Sequence, residues 1–126
     1  ILARLAKRVY SIERHAELAA QAQERLKSLH LFNVDVRVSD GMRGWPGQAP
    51  FDRIIVTAAA RENPPQELLN QLNIKGLIVI PIDRGVEGQV LVRIRRTAQG
   101  FQSTDLLPVK FVPLLEGVAK RDGADG

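Results

Sequence analysis

The sequence predicts an α/β protein with a mostly parallel sheet that ends in an antiparallel pair of strands. Strand-like and helix-like stretches alternate through the first two thirds of the chain. Two continuous apolar runs, residues 54–56 and 76–82, lack the alternation of a half-exposed strand and are typical of strands covered on both faces. The turn-rich DRGVEGQ then leads into VLVRIRR, which predicts a hairpin.

The first part of the chain predicts the order helix, strand, helix, strand. Residues 1–7 have the pattern of a helix end, and residues 8–13 that of a short strand. Residues 15–30 predict an amphipathic helix. Its apolar stripe consists of Ala19, Ala22, Leu26 and Leu29. Strict alternation at residues 34–38 predicts a half-exposed strand near a sheet edge.

The middle of the chain begins with a loop at residues 41–50, which is rich in glycine and proline. A strand is predicted at residues 51–59. A short helix follows at residues 64–72, opened by two prolines, which a first helical turn tolerates. We expect LNIKG to close this helix before the strand at residues 76–82.

The last part, residues 100–117, predicts a strand with an irregular extension, because Pro108 and Pro113 limit ladder pairing. A polar tail follows at about residues 119–126. The length of 126 residues suits one modest core, so we predict a single partial domain over residues 1–126.

The composition excludes several kinds of site. The chain has no cysteine, so a disulfide, a cysteine-ligated metal or a thiol nucleophile is impossible in it. Two isolated histidines and no acidic cluster predict that no metal is bound. No apolar run approaches the roughly 20 residues of a membrane span. The lack of cysteine fits the reducing cytosol, and we predict a cytoplasmic protein without a membrane partner.

The net charge of +4 does not predict a nucleic-acid partner, because the basic residues are scattered. The one local cluster is Arg93, Arg95 and Arg96, which alternates with apolar residues. We interpret it as the solvated face of a strand or as protection of a sheet edge.

Candidate site residues stand at the predicted carboxyl ends of three strands, where open α/β sheets bind ligands. Glu13 ends the first of these strands, and its two carboxylate oxygens suit the two hydroxyls of a ribose. Asp40 follows the second and can accept from an exocyclic amine, while Gly41 allows a flat ring to approach. After the third strand, Thr57 and the three alanines that follow it in the sequence are small and leave space for a ligand.

Each of these residues also has a structural interpretation. An acid such as Glu13 is favourable at a helix start. Ser39, Asp40 and Gly41 suit an ordinary turn, and small residues after a strand suit close packing.

A ribose-binding acid usually stands about 20 residues beyond a glycine-rich loop. No glycine precedes Gly41, and the chain begins with Ile1 inside a helical pattern. We therefore expect a first strand and its glycine-rich loop upstream of residue 1.

Four segments together resemble the protein-L-isoaspartate O-methyltransferase family, and the resemblance extends over almost the whole chain. They are VYSIER, the SDG that follows VDVRV, APFDRIIVTAAA and VKFVPLLEG. The resemblance implies a Rossmann-like class I methyltransferase fold. It also implies transfer of a methyl group from S-adenosylmethionine to the free carboxylate of isoaspartyl residues in damaged proteins, which starts their repair.

The resemblance also implies roles for individual residues. The cofactor-binding residues would be Glu13, Arg14, Asp40, Gly41, Thr57 and Ala58. Glu13 would bind the ribose, and Asp40 with Gly41 would hold the adenine. Thr57 and Ala58 would lie near the reacting methyl group. The substrate-binding residues would be Ala59, Val112, Pro113 and Leu114.

The family's glycine-rich cofactor loop and its serine-containing acceptor motif are not found in this sequence. We therefore expect no catalytic residue in this chain, and we expect the 126 residues alone to be inactive. A monomer is predicted, or a swapped dimer if the chain is truncated.

Three other functions are compatible with parts of the sequence. A dinucleotide-dependent oxidoreductase also places an acid at the end of its second strand. A class I methyltransferase could act on RNA or a small molecule instead. A non-catalytic fragment or interaction module is the third alternative.

Overall fold

A computed structural model describes residues 1–119 of the chain. These residues form two compact units. The first contains Ile1–Gly41 and the described residues from Glu116 onward, and the second is Met42–Leu115. The predicted polar tail, except Ala119, lies outside the described residues, and the single-domain organisation stays a prediction.

The described residues contain three α-helices and seven strands. The helices are α1 (Leu2–Leu5), α2 (Ala16–Ser28) and α3 (Gln66–Asn70). The strands are β1 (Val9–Glu13), β2 (Val34–Val38), β3 (Phe51–Ile55), β4 (Ala60–Arg61), β5 (Leu72–Asp83), β6 (Gln89–Thr97) and β7 (Gly100–Val109). None of the helices within residues 1–119 has the length and apolar character of a membrane-spanning segment.

The first unit is a β–α–β arrangement. Strands β1 and β2 pair in parallel, from Val9 opposite Val34 to Glu13 opposite Val38, and α2 connects them. The predicted helix and both strands are confirmed. Leu29 is the exception in the predicted apolar stripe, because the helix ends at Ser28 and Leu29 beyond it is 58% exposed.

The second unit contains a mixed sheet with the strand order β3–β5–β6–β7, and β4 pairs with the end of β5. Strands β3 and β4 run parallel to β5, whereas β6 runs antiparallel to both β5 and β7. The predicted α/β class, with antiparallel strands at the end, is confirmed.

The core of this unit lies on one face of β5 and β6. Ile78 and Ile80 are fully buried there, together with Leu68 and Leu69 from α3. In β6, Val92 and Ile94 are buried while Arg93 and Arg95 are exposed. The solvated-face interpretation is therefore confirmed for Arg93 and Arg95, whereas Arg96 is half-buried and donates to the Leu72 carbonyl at 2.6 Å. Edge protection is wrong, because β6 is an interior strand.

The predicted strand at residues 51–59 is shorter than expected. Strand β3 ends at Ile55, although the Val56 N–H still donates to the Val79 carbonyl of β5 at 3.0 Å. The chain then leaves the sheet and returns as β4. Burial on both faces is also wrong for β3. Ile54 and Val56 pack against the core, but Ile55 on the opposite face is 56% exposed.

The predicted closure of the short helix through LNIKG is wrong, because β5 already begins at Leu72. Phe51 pairs with Leu72 and Arg53 with Leu77, so the residues of β5 between these pairs bulge out of the ladder. Lys75, within this bulge, has φ +71°. Long-range pairing with β3 therefore overrides the local signal for a helix end.

Candidate active site

The carboxyl ends of β1 and β2 lie side by side, as predicted. The backbone N–H of Ser39 donates to the Glu13 carbonyl oxygen at 3.1 Å. The Glu13 side chain is half-buried, and its Oε1 accepts from the backbone N–H of His15, 3.1 Å away at the start of α2. No other hydrogen bond to this carboxylate is made within residues 1–119.

Asp40 and Gly41 follow β2 at the same edge. Both residues are half-buried, and Gly41 opens the short 3₁₀ helix Gly41–Arg43. The structure thus brings Glu13 and the turn at Asp40 to one end of a parallel strand pair, where a ribose and an adenine could bind together.

Arg14 makes contacts with the end of the first unit. Its Nε donates to the Gly117 carbonyl oxygen at 3.3 Å, and its own carbonyl accepts from the Ala119 N–H at 2.8 Å. These bonds hold the chain at residues 117–119 beside the end of β1. The Nε atom of Arg14 is therefore engaged within the protein.

In the second unit, Ala59 is joined to the segment Val112–Leu114. The Ala59 N–H donates to the Val112 carbonyl at 2.7 Å, and the Leu114 N–H donates to the Ala59 carbonyl at 2.8 Å. Pro113 lies opposite Ala59 in this parallel bridge. All four predicted substrate-binding residues are thus in one place, although they lie far apart in the sequence.

The residues of this bridge differ in exposure. Ala59 is buried, and Leu114 packs against the core. Val112, in contrast, is 70% exposed. Thr57 and Ala58 directly precede Ala59, where the first is exposed and the second half-buried. The arrangement can offer a firm apolar surface to a peptide.

Titratable groups within residues 1–119 form no cluster of three or more histidines or acids that could hold a metal. His15 and His30 are exposed. The candidate residues in each unit thus offer hydrogen-bonding and apolar groups to a ligand.

A sequence model of the family described as protein-L-isoaspartate(D-aspartate) O-methyltransferase matches residues 1–119. The chain belongs to this family. A protein-L-isoaspartate O-methyltransferase of Parvibaculum lavamentivorans is 55% identical over 122 residues, which are 95% of this chain and 54% of that relative. One from Ruegeria pomeroyi is 53% identical over 120 residues, covering 95% and 55%.

Solved structures agree with the assignment to the protein-L-isoaspartate O-methyltransferase family. One such protein from Plasmodium falciparum, solved with S-adenosyl-L-homocysteine, superposes with a TM-score of 0.73 at 26% identity. The match covers 86% of this chain and 52% of that chain. The predicted Rossmann-like fold is confirmed, and the chain spans about half the length of the curated relatives it matches.

Two glutamines of this family member were not predicted as site residues. The buried side chain of Gln71 accepts from the Trp45 N–H at 2.9 Å and donates to the Arg43 carbonyl at 2.7 Å. Gln89 binds the backbone of Phe111 in the same two-bond manner. No sequence signal separates these glutamines from an exposed one such as Gln102, because their partners are distant in the chain.

Proposed function

We propose that the protein transfers a methyl group from S-adenosylmethionine to the free carboxylate of isoaspartyl residues in damaged proteins, as a repair step. The observation that carries this proposal is the bridge between Ala59 and Val112–Leu114 in a chain that belongs to this family. The bridge supports a peptide-binding surface beside the carboxyl ends of parallel strands.

The cofactor-side residues fit S-adenosylmethionine. We infer that Glu13 binds the ribose hydroxyls, since its Oε2 makes no hydrogen bond within residues 1–119. Asp40 would accept from the adenine amine, and Gly41 would let the ring approach the backbone. Arg14, whose Nε donates to the Gly117 carbonyl, would contribute to the cofactor side through its remaining guanidinium nitrogens. When bound, the cofactor supplies an electrophilic sulfonium methyl group, which Thr57 and Ala58 would border.

The acceptor needs no general base from this chain. A carboxyl group with an ordinary pKa of about 4 is already ionised near neutral pH. The task of Ala59, Val112, Pro113 and Leu114 is therefore to hold the peptide so that its carboxylate is in line with the methyl group, and such positioning can supply a large share of the rate enhancement.

The test is methyl transfer by the protein as its gene encodes it, using S-adenosylmethionine with a radiolabelled methyl group. Three acceptors are compared: an isoaspartyl peptide, the same peptide with a normal aspartyl linkage, and RNA. We expect a base-labile methyl ester on the isoaspartyl peptide alone. Equal labelling of both peptides, or labelling of RNA alone, would contradict the proposal.

We also infer that the protein acts in the cytoplasm as a monomer, or as a swapped dimer if the chain is truncated. The complete lack of cysteine supports a reducing compartment. Cell fractionation and light scattering of the purified protein test these two inferences. Recovery in a secreted fraction or as a larger oligomer would contradict them.

A further inference from the structure

Gln89 is the first residue of β6 and its backbone is held on both sides. It pairs with Asp83 of β5 and with Val109 of β7. Because two ladders fix its main chain, the Gln89 side chain projects from a rigid point. It extends just past the residue at which β7 ends.

The Gln89 amide binds both polar backbone groups of Phe111. Its Oε1 accepts from the Phe111 N–H at 2.6 Å, and its Nε2 donates to the Phe111 carbonyl at 3.0 Å. A primary amide offers a donor and an acceptor side by side, as a neighbouring peptide group would. The side chain thus continues the strand pairing beyond Val109, where the backbone ladder has ended. We call this pair of bonds the Gln89 clasp.

The Gln89 clasp lies immediately before the bridge to Ala59. Phe111 is followed by Val112, whose carbonyl accepts from Ala59, and Leu114 returns a bond to the same residue. Val112 is 70% exposed, so burial of its side chain does not hold it in place. Its position depends on hydrogen bonds of the backbone around it. Gln89 binds Phe111 on one side, and Ala59 binds the Val112 carbonyl and the Leu114 N–H on the other.

We propose that Gln89 is a positioning residue for the acceptor peptide, which acts by setting the place of Val112 and Pro113 through Phe111. The inference rests on the proposed function, in which these residues border the peptide. Gln89 itself touches neither the peptide nor the cofactor. Its loss therefore affects peptide recognition and leaves the recognition of S-adenosylmethionine intact.

The first test replaces Gln89 by leucine in the protein as its gene encodes it. Without the clasp, we expect the KM for an isoaspartyl peptide to rise on the order of tenfold, as the loss of two hydrogen bonds predicts. The KM for S-adenosylmethionine should stay unchanged. Gln102→Leu is the matched control, since Gln102 is an exposed residue of β7 with no side-chain hydrogen bond in the described part of the chain.

The second test is Gln89→Glu, which keeps the size and shape of the side chain. If Gln89 only fills space, this variant should behave like wild type. An ionised glutamate can accept from the Phe111 N–H but faces the Phe111 carbonyl without a donor. A protonated one restores the donor. We therefore expect the ratio of the variant's peptide KM to that of wild type to fall as the pH is lowered toward about 5, approaching the ordinary glutamate range.

Hydrogen exchange provides a readout that does not depend on activity. In Gln89→Leu the amide of Phe111 should exchange faster than in wild type and in the Gln102→Leu control. Unchanged exchange, an unchanged peptide KM, or equal increases in both KM values would overturn the inference. If wild type methylates no isoaspartyl peptide, the proposed function and the acceptor role fall together. Faster exchange at Phe111 would in that case show that the clasp itself is real.

Discussion

Gly44 lies in a backbone conformation that only glycine adopts easily, directly against a buried side chain. Its φ is +63°, and a Cβ at this position would collide with Oε1 of Gln71 and lie 2.8 Å from its Cδ. That amide holds Arg43 and Trp45 on either side of the glycine. We predict that Gly44→Ala lowers the free energy of unfolding by roughly 2 kcal/mol, through strain and lost hydrogen bonds. Urea denaturation measures this change.

Two other glycines separate the causes of that effect. Gly47→Ala meets no atom within 4 Å and should leave stability almost unchanged. Gly85 has φ +70° but also has open space around it, so Gly85→Ala reports backbone strain without a collision. A Gly44→Ala variant no less stable than Gly85→Ala would contradict a role for the collision with Gln71.

Glu13 is the residue whose chemistry is most open to a direct test. Gln at this position keeps the shape but loses the charge and one acceptor, so a ribose diol is bound less well. We predict that Glu13→Gln raises the Kd for S-adenosylmethionine by about tenfold or more, the effect of losing a charged hydrogen bond. Isothermal titration of the protein as its gene encodes it measures the change.

The matched control for this substitution is Glu17→Gln, an exposed acid in the first turn of α2. It changes the net charge identically while leaving the end of β1 intact. Equal loss of affinity in the two variants would show a general charge effect and would refute ribose binding by Glu13.

At the scale of elements, an ion pair links the turn after β5 to strand β7. Arg84 donates from both terminal nitrogens to the two oxygens of Asp105, at 2.7 and 2.9 Å. The hydrogen bonds from Arg84 lower the pKa of the Asp105 carboxyl below its ordinary value. Because the pair is exposed, it stabilises the fold only slightly.

The lowered pKa fixes the direction of a pH effect. Folding favours the ionised carboxylate, so the stability from this pair is present above the ordinary aspartate range and is lost as pH falls through the lowered pKa. We predict that Asp105→Asn has a slightly lower urea midpoint than wild type near neutral pH, and that the two midpoints converge in acid. Guanidinium should be avoided, since its salt screens the pair.

A double-mutant cycle with Arg84→Met isolates the pair from other effects of each substitution. The coupling between the two positions should be favourable near neutral pH and disappear in acid. A coupling that does not change with pH would contradict assignment of the effect to the Asp105 carboxylate.

At the scale of the whole chain, the two proposed cofactor-binding acids are present in residues 1–126, but a glycine-rich loop before them is not. Residues 1–126 include Glu13 and Asp40 but no glycine before Gly41. If Glu13 and Asp40 bind the ribose and the adenine as proposed, a polypeptide of these residues alone offers both acceptors without a glycine-rich loop to hold the rest of the cofactor. We predict that its titration with S-adenosylmethionine remains unsaturated at about 1 mM, the upper end of common KM values. Saturable binding in the micromolar range would contradict this prediction.

Local patterns in the sequence predicted most of the elements and the ends of two strands that carry candidate site residues. The alternation in β6 correctly separated buried Val92 and Ile94 from exposed Arg93 and Arg95, because side-chain direction in a strand has a period of two. The end of β1 was predicted because an acid, Glu13, follows a short apolar strand, and the turn after Val38 because Ser39, Asp40 and Gly41 are turn-forming residues. The family resemblance then pointed to Ala59 and Val112–Leu114.

The amino-acid order alone therefore settled most of the strands and helices, where β1 and β2 end, and which family the chain resembles. Only the three-dimensional arrangement decided which face of β3 is covered, that residues 72–75 extend β5, and that Gln71 and Gln89 clasp distant backbone. Ile55 and Ile78 stand in equally apolar runs, yet one is exposed and the other buried. Periodicity reports the direction of a side chain, whereas packing layers and hydrogen-bond partners come from segments far along the chain.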